Sequence, residues 1–453
     1  MADPIRVAFI ALGCVKNLVD SEKMLGQLAE AGCAVAADES DADVIVINTC
    51  GFLDAARTEA DEIIREAVER KAAGQVQRVV VAGCLVQRDR TALLDRIEGI
   101  DALVGVNNRD DVVRAVVANR RQQAGCPTDL YLSDYHAHVD VDTARLRLTP
   151  RHYAYLRISE GCDQKCTFCT IPAIRGPMHC KPPNAIIDEA RELVSDGVVE
   201  ICLIGQDTTS YGLGNEDFGR GLAELLQQLN AVDGLKWIRL MYAYPTAISD
   251  ELIGAIAECS HVCKYVDVPL QHINDRVLKA MRRNINRRST EDLLGRIRDR
   301  VPGVTLRTTL MVGFPGETEA EFQELVQFVE DRRFDALGVF AYSFEPETPA
   351  ARLPGQVPEE VKSQRVDELM TAQQRIAFEI AKERVGSTFE VLVDEVVEPG
   401  LVVARHEGQA PSVDSVTYVE EGDLVPGSFI RVCGVGSDEY DLVARPVNTA
   451  LSE

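Results

Sequence analysis

The chain has 453 residues, of which 46% are hydrophobic and 26% charged, a balance that excludes a disordered or collagen-like protein. It contains 48 Lys and Arg and 72 Asp and Glu, which gives a net charge of −24. This charge disfavours nucleic acid as the main ligand and favours a basic partner. The 13 cysteines, with no secretory signal or apolar membrane span, indicate a reducing compartment. We therefore expect a cytoplasmic protein with metal or redox chemistry and no membrane contact.

Residues 1–145 alternate short β-branched runs with helical patterns. The runs predict buried parallel strands at 6–13, 43–49 and 78–83. The helical patterns between and after them lie at 21–32, 54–70 and 90–99. This order predicts a small, doubly wound α/β domain.

A second set of alternations follows a connector at 145–152 and extends to residue 384. Six strands are predicted, at 152–159, 199–205, 237–242, 265–270, 304–313 and 335–343. Helical patterns separate them, such as those at 184–197 and 319–333, and a long helix is predicted at 357–385. A closed barrel normally uses eight strand–helix units, so residues 150–384 are predicted to form an open, partial (β/α)6 barrel.

From Gly386 onwards the sequence consists of short strands punctuated by Gly and Pro, which predicts a small all-β barrel at 386–449. Residues 386–453 contain 13 acids and three bases, a net charge of −10. An RNA-binding barrel is expected to present basic and stacking aromatic side chains, so this composition favours a basic protein partner. The alternative is that the acids serve only solubility.

The strongest motif is Cys162, Cys166 and Cys169, spaced C-x3-C-x2-C directly after the first barrel strand. Three closely spaced thiolates suit a soft metal or an iron–sulfur cluster in which one iron keeps an open position. One alternative is a four-cysteine or zinc site completed by Cys180. The other is three unrelated core cysteines.

A second set, Cys14, Cys50 and Cys84, is recognised by its placement, because each cysteine follows a predicted parallel strand. The carboxyl ends of such strands gather at one edge of the sheet, so these thiols predict a second three-cysteine cluster. Ordinary burial of free cysteine is the alternative. The remaining cysteines show no convergence and are expected to be packing residues: Cys33, Cys126, Cys202, Cys259, Cys263 and Cys433.

The C-x3-C-x2-C spacing after a first barrel strand resembles the radical S-adenosylmethionine (SAM) superfamily. The resemblance implies that the open iron binds SAM and that an electron from the cluster cleaves it to a 5′-deoxyadenosyl radical. Gly313 and Gly316 in LMVGFPGETE match the superfamily's fifth-strand element, where backbone approaches the cofactor. Gln206 and Asp207 follow the second strand and are candidates either for SAM contacts or for capping a helix, and His272 for the barrel mouth or the core.

Taken together, the two cysteine sets and three domains resemble the methylthiotransferase family of radical SAM enzymes. The match implies domains at 1–145, 150–384 and 386–449, the last a TRAM-like substrate-recognition domain. It implies two 4Fe–4S clusters, the second of which supplies the sulfur that SAM methylates. One departure lies after the cluster loop, where RGPMHCK (175–181) retains Arg175 and Lys181 but has Pro, Met, His and Cys between them.

The sequence around the second cysteine set, LGCVKNLVDSEKM and NTCGFLDAARTEA, resembles the members that modify ribosomal protein S12 at the β-carbon of an aspartate. We therefore expect S12 or the small ribosomal subunit as partner, together with a low-potential electron donor and a sulfur donor. The nearest alternative is the same chemistry on a tRNA adenosine. More remote alternatives are an iron–sulfur electron-transfer or binding protein and an RNA-binding protein that acts through its C-terminal barrel.

Overall fold

The computed structural model describes residues 4–118, 128–134, 141–422 and 424–447, and begins with a six-stranded parallel sheet. The central strands are buried along their whole length because β-branched runs face helices on both sides. In spatial order the strands are Ala34–Val35, Arg6–Ala11, Val44–Thr49, Arg78–Gly83, Ala102–Gly105 and Asp129–Tyr131. The predicted doubly wound α/β fold is confirmed.

The helices around this sheet differ from their predicted bounds at two places. The first helix begins at Val15, six residues before the prediction, because the amide of Asn17 donates to the carbonyls of Leu12 and Asn48 and fixes the first turn. The segment predicted as one helix at 90–99 is helical only from 92 to 96, after Arg90 adopts a φ of +51°. The helices are Val15–Glu30, Asp54–Ala72, Cys84–Asp89, Ala92–Arg96 and Val112–Val117.

The second sheet contains the six predicted barrel strands, all parallel and paired in chain order. Its first and last strands form the two edges, so this barrel is open, as predicted. The strands are Tyr153–Arg157, Glu200–Ile204, Trp237–Leu240, Val262–Gln271, Thr305–Val312 and Ala336–Ala341. The helices are Ile171–Arg175, Pro183–Ser195, Leu222–Asn230, Asp250–Glu258, Asp275–Ala280, Arg287–Arg300, Glu319–Arg332 and the long Glu359–Glu383.

Five strands close the predicted C-terminal barrel around a small apolar core. They are Thr388–Glu398, Leu401–His406, Thr417–Glu420, Phe429–Asp438 and Asp441–Pro446. A buried ion-pair group joins this barrel to the second sheet: Arg405 contacts Glu200 at 2.7 Å, and Glu200 also accepts a hydrogen bond from Arg239 at 2.8 Å. Phe429 packs edge-on against Trp237, with ring centroids 5.0 Å apart.

The carboxyl ends of the two parallel sheets face each other. Glu345, just beyond the last strand of the second sheet, accepts hydrogen bonds from the backbone of Asp54 and from Arg88 at 2.9 and 2.7 Å. Both of these partners belong to the N-terminal domain, and Glu345 is only 1% exposed. The edges that carry the two cysteine sets therefore face each other, and we call the region between them the chamber. Within the described residues, every helix is too short or too polar to span a bilayer.

Candidate active site

The loop that carries Cys162, Cys166 and Cys169 starts at the end of the first strand of the second sheet. Gly161 opens it at a φ of +78°, and a Cβ there would lie 2.1 Å from the carbonyl oxygen of Pro177, so a side chain is excluded. The Cys162 N–H donates to the Gly176 carbonyl at 3.1 Å, which holds the start of the loop against the segment that follows it.

The three thiols of this loop interact electrostatically. Burial, with a smaller contribution from the neighbouring Cys166 and Cys162, raises the pKa of Cys169 to about 12. Burial likewise raises the pKa of Cys162 to about 11. In the part of the chain that the structure describes, no three His, Cys, Asp or Glu side chains stand close enough to share one metal ion. Three neighbouring thiols on one short loop fit the ligation of an iron–sulfur core.

The structure also brings Cys14, Cys50 and Cys84 together at the edge of the first sheet. A Cβ on Gly13 would lie 2.7 Å from the Cβ of Cys50, and one on Gly51 would lie 2.8 Å from the carbonyl carbon of Cys84. Burial raises the pKa of Cys84 to about 12, Arg175 opposes that rise, and Cys14 and Cys50 add to it. These three thiols therefore form a second neighbouring set, and glycines provide the space for it.

The other cysteines lie apart from both sets. Cys180, the alternative fourth ligand, is partly buried in a short strand, where its sulfur accepts the Gly212 N–H at 3.4 Å. Cys202 and Cys263 pack in one apolar cluster, Cys259 is buried in another, and Cys33 and Cys433 are half-buried. Cys126 lies outside the described residues.

Arg175 connects the two cysteine sets and was not recognised as a site residue from the sequence. Its guanidinium lies 3.1 Å from the sulfur of Cys84, 2.9 Å from Asp20 and 3.0 Å from Glu160. Glu160 directly precedes the cluster loop and also accepts a hydrogen bond from Gln206 at 2.7 Å. A continuous chain of polar contacts thus runs from the second cysteine set to the strand ends of the barrel.

The carboxylates around Arg175 are ionised. Burial alone would raise the pKa of Asp20, but Arg109, Arg175 and Arg157 hold it well below its usual range. Arg175 and Arg157 likewise outweigh burial and lower the pKa of Glu160. Lys181, the other base retained after the cluster loop, is buried and contacts Asp142 and Glu189 at 2.8 and 2.7 Å. Asp142 also accepts a hydrogen bond from Arg157 at 3.0 Å and so joins Lys181 to this network.

Lys16 places a second cation at the chamber, two residues after Cys14. Its Nζ lies 2.8 Å from the centroid of the Tyr242 ring, and the residue is 8% exposed. Tyr242 follows the third strand of the second sheet at a φ of +59°, and its N–H donates to Asp267 at 3.0 Å. Among the described residues, the Lys16 ammonium has no hydrogen-bond or ion-pair partner.

The predicted SAM contacts occupy different environments. Gln206 donates through its Nε2 to Glu160, while its buried Oε1 lacks a hydrogen-bond partner in the described part of the chain. Asp207 accepts hydrogen bonds from Gln164, Thr209 and Ser210 and so closes its own turn. The orphaned oxygen of Gln206 fits a ligand that carries an N–H donor, whereas Asp207 acts in the structure as a turn residue.

Gly313 and Gly316 have structural reasons to be glycine. Both have positive φ, +70° and +79°, and a Cβ on Gly313 would lie 2.3 Å from the Cγ of Lys362. The nearest atom to a Cβ on Gly316 is 3.7 Å away, so only the backbone conformation restricts that position. Their contact with a cofactor stays a prediction. His272 is fully buried, and burial lowers its pKa to about 3, so it is a neutral core residue.

Comparisons with known proteins agree with this architecture. The profile of the radical SAM superfamily matches residues 156–329, that of uncharacterized protein family UPF0004 matches 6–105, and that of the TRAM domain matches 385–447. The chain is similar to the solved radical SAM methyltransferase TsrM from Kitasatospora setae, with a TM-score of 0.55 and 16% identity over 88% of this chain and 81% of that one. At that identity the likeness describes the fold alone.

Fold and site therefore define a radical SAM enzyme with a C-terminal TRAM domain. The chain is 44% identical to the ribosomal protein uS12 methylthiotransferase RimO of Anaeromyxobacter sp. (strain K), over 98% of this chain and 93% of that protein. It is 41% identical to the RimO protein of Clostridioides difficile (strain 630), over 97% and 98%. The chain belongs to the RimO family of radical SAM methylthiotransferases. The predicted enzyme class is confirmed, as is the prediction that SAM and 4Fe–4S clusters are its cofactors.

Proposed function

We propose that this enzyme methylthiolates the β-carbon of an aspartate in ribosomal protein uS12. Cys162, Cys166 and Cys169 hold the cluster that binds SAM, and Cys14, Cys50 and Cys84 hold the second cluster. When bound, SAM and the two clusters supply the 5′-deoxyadenosyl radical, the sulfur and the methyl group. The observation that carries the proposal is the convergence of the two thiol sets on one chamber, with the Arg175 guanidinium 3.1 Å from Cys84 and 3.0 Å from Glu160.

Lys16 is the group that we assign to the substrate carboxylate. It is a buried ammonium next to a ligand of the second cluster and against the ring of Tyr242, and among the described residues no carboxylate pairs with it directly. Asp267 and Glu160 act on it only at longer range. A buried charge is stable when an opposite charge pairs with it. An aspartate carboxylate supplies that charge and brings its β-carbon to the chamber, whereas an adenine ring supplies none.

The orphaned Oε1 of Gln206 supports a SAM site on the side of the first cluster, because SAM carries an ammonium group that can donate to it. Glu160 fixes the Gln206 amide through its Nε2, so the free oxygen has a defined direction. Gln206 is therefore a binding residue in this proposal. Asp207, Gly313 and Gly316 are secondary candidates that maintain the loops around it.

The C-terminal barrel favours a basic protein over tRNA. Of its three bases, Arg405 is buried with Glu200 and Arg445 pairs with Glu420, while Glu390, Glu395 and Glu398 are exposed on its first strand. Three of its four aromatics are engaged in internal contacts, with partner rings 5.0 to 5.6 Å away: Phe389 on His406, Phe429 on Trp237 and Tyr440 on Phe378. An acidic surface with few free rings suits a basic ribosomal protein rather than an RNA strand.

The remaining parts of the proposal follow from this function. We infer domains at 1–145, 150–384 and 386–449, a cytoplasmic location where ribosomes are available, and a requirement for a low-potential electron donor and a sulfur donor. The substrate is either free uS12 or the small ribosomal subunit.

The test separates the two cysteine sets and the two substrates. After anaerobic reconstitution the wild-type chain should bind about eight irons, four for each set. Cys162→Ala should abolish 5′-deoxyadenosine formation, whereas Cys50→Ala should retain it and lose methylthiolation. Mass analysis of the small ribosomal subunit and of bulk tRNA, after incubation with SAM, reductant and sulfide, identifies the product. An SCH3 group on the tRNA alone would contradict the proposal.

A further inference from the structure

An exposed basic surface lies beside the cluster loop of this strongly acidic protein. Residues 276–288 contain six Lys and Arg and no acid, although the whole chain has a net charge of −24. Lys279 and Arg282 from this segment, together with Lys165 from the cluster loop, are exposed and line a surface cleft of about 770 Å³. We call these three residues the basic surface.

The charges of the basic surface are not used inside the protein. Among the described residues, none of the three side chains has a hydrogen-bond or ion-pair partner. The two acids at the cleft are engaged by backbone groups, because Asp163 accepts the Met178 N–H at 3.0 Å and Asp275 accepts the Arg287 N–H at 2.7 Å. No base in the described part of the chain pairs with either acid, and the four bases that line the cleft outnumber the two acids, so the cleft presents a net positive charge to a partner.

Part of this concentration of bases serves the fold, because Arg276 pairs with Glu321 and Arg287 pairs with Glu324. Arg282 has a φ of +55°, in the left-handed region where side chains are disfavoured. Lys279 lies in the last turn of the helix Asp275–Ala280, where the dipole favours a cation. What indicates a role in binding is therefore that Lys165, Lys279 and Arg282 have no internal partner among the described residues.

The segment that carries the basic surface is bonded directly to the cluster loop. Thr167, which follows Cys166, donates its N–H to the Met281 carbonyl at 3.0 Å and its hydroxyl to the Ala280 carbonyl at 2.9 Å. The buried Arg283 guanidinium lies 3.6 Å from the sulfur of Cys166. A partner on the basic surface is thus close to the ligands of the radical SAM cluster. Lys165 is adjacent to Cys166 in the chain, and the segment that carries Lys279 and Arg282 is hydrogen-bonded to Thr167.

From this we infer that the basic surface is the docking site of an acidic electron-transfer protein that reduces the cluster held by Cys162, Cys166 and Cys169. The inference rests on the proposed function, which requires one electron for each SAM cleaved. The donor, a protein with a low-potential flavin or iron–sulfur centre, is oxidised by one electron and the cluster is reduced by one. Elsewhere the net negative charge repels an acidic donor, so the basic surface orients the encounter.

Binding of flavodoxin, as a defined acidic probe, tests the inference without relying on turnover. The dissociation constant for reconstituted enzyme should rise at least about tenfold in Lys279→Glu/Arg282→Glu, because both charges reverse at the contact, and the wild-type affinity should fall with added salt. The matched control is Arg191→Glu/Lys236→Glu, which makes the same change in net charge at two other exposed bases and should retain the wild-type affinity.

Two reductants then separate docking from chemistry. In Lys279→Glu/Arg282→Glu, 5′-deoxyadenosine formation driven by reduced flavodoxin should fall, while formation driven by dithionite should match the wild type. Equal flavodoxin affinity in wild type and variant would overturn the inference. If, in addition, the variant bound a small-subunit rRNA fragment more weakly than wild type, the surface would be an RNA site. Failure of wild-type enzyme to cleave SAM with dithionite would instead contradict the proposed function.

Discussion

Replacing Lys16 with Met removes the only charge of this side chain and keeps its length. The Lys16 ammonium lies 2.8 Å from the centre of the Tyr242 ring and has no anionic partner among the described residues. A carboxylate about 4 Å from an ammonium gains about 4 kcal/mol at an effective dielectric constant near 20. We expect binding to give up about 2 kcal/mol of cation–π attraction to Tyr242, which leaves a net gain of about 2 kcal/mol.

A net gain of that size corresponds to a roughly 30-fold effect on kcat/KM for uS12. Lys16→Met should therefore lower kcat/KM for methylthiolation by about that factor, while it still forms 5′-deoxyadenosine. Lys16→Arg retains the charge and should lose less. The assay is product formation from recombinant uS12, quantified by mass spectrometry against substrate concentration.

A double-mutant cycle connects the effect to the carboxylate. In the substrate, Asn at the modified aspartate should cost wild-type enzyme about the same 30-fold, whereas Lys16→Met enzyme should discriminate little between Asp and Asn. If both enzymes distinguish the two substrates equally, Lys16 does not bind the carboxylate and the reasoning is refuted.

Three further predictions concern the scaffold of the site. Arg405→Met removes the buried cation that pairs with Glu200 and Asp394, and leaves these carboxylates only Arg239 and His152 as partners. The free energy of unfolding, measured in urea, should therefore fall by about 3 kcal/mol, and a variant as stable as wild type would contradict this. Because Asp20 has a lowered pKa, its ionised form stabilises the fold above about pH 4, so the stability gap between wild type and Asp20→Asn should be constant from pH 6 to 8 and narrow as the pH falls below about 4. A gap that widened in acid would contradict that assignment. Gly313→Ala should lower the thermal midpoint more than Gly316→Ala, because its Cβ meets Lys362 at 2.3 Å; a weaker SAM affinity in a folded Gly316→Ala would support the cofactor contact, and equal midpoints would contradict the steric argument.

The strands and both cysteine sets could be predicted because each depends on local pattern. Val44–Thr49 and Arg78–Gly83 are unbroken β-branched runs, and a cysteine after such a strand necessarily lies at the sheet edge. The predicted start of the first helix, residue 21, was wrong because the residue at the true cap, Cys14, makes no capping bond through its side chain and gives no local signal. There the helix is fixed by Asn17, through contacts that local sequence does not reveal.

The residues that connect the sets could not be found from spacing. Arg175 meets Asp20 and Cys84 across 155 and 91 residues of chain, and Lys16 meets a ring on another sheet. The signal for the basic surface was present, as six bases within residues 276–288. The net charge of the whole chain, however, averages over such a segment, and composition alone indicates only a basic partner.

The ion-pair group of Glu200, Arg239 and Arg405 fixes the C-terminal barrel to the second sheet, since moving the barrel away would break the buried contact between Arg405 and Glu200. This contact opposes a hinge motion of the barrel toward the chamber. A protein substrate bound to the barrel would therefore meet a constant distance between the barrel surface and the two cysteine sets. Any conformational change needed to cover that distance would have to occur in the substrate. A flexible loop that can extend away from the rest of its domain fits this requirement.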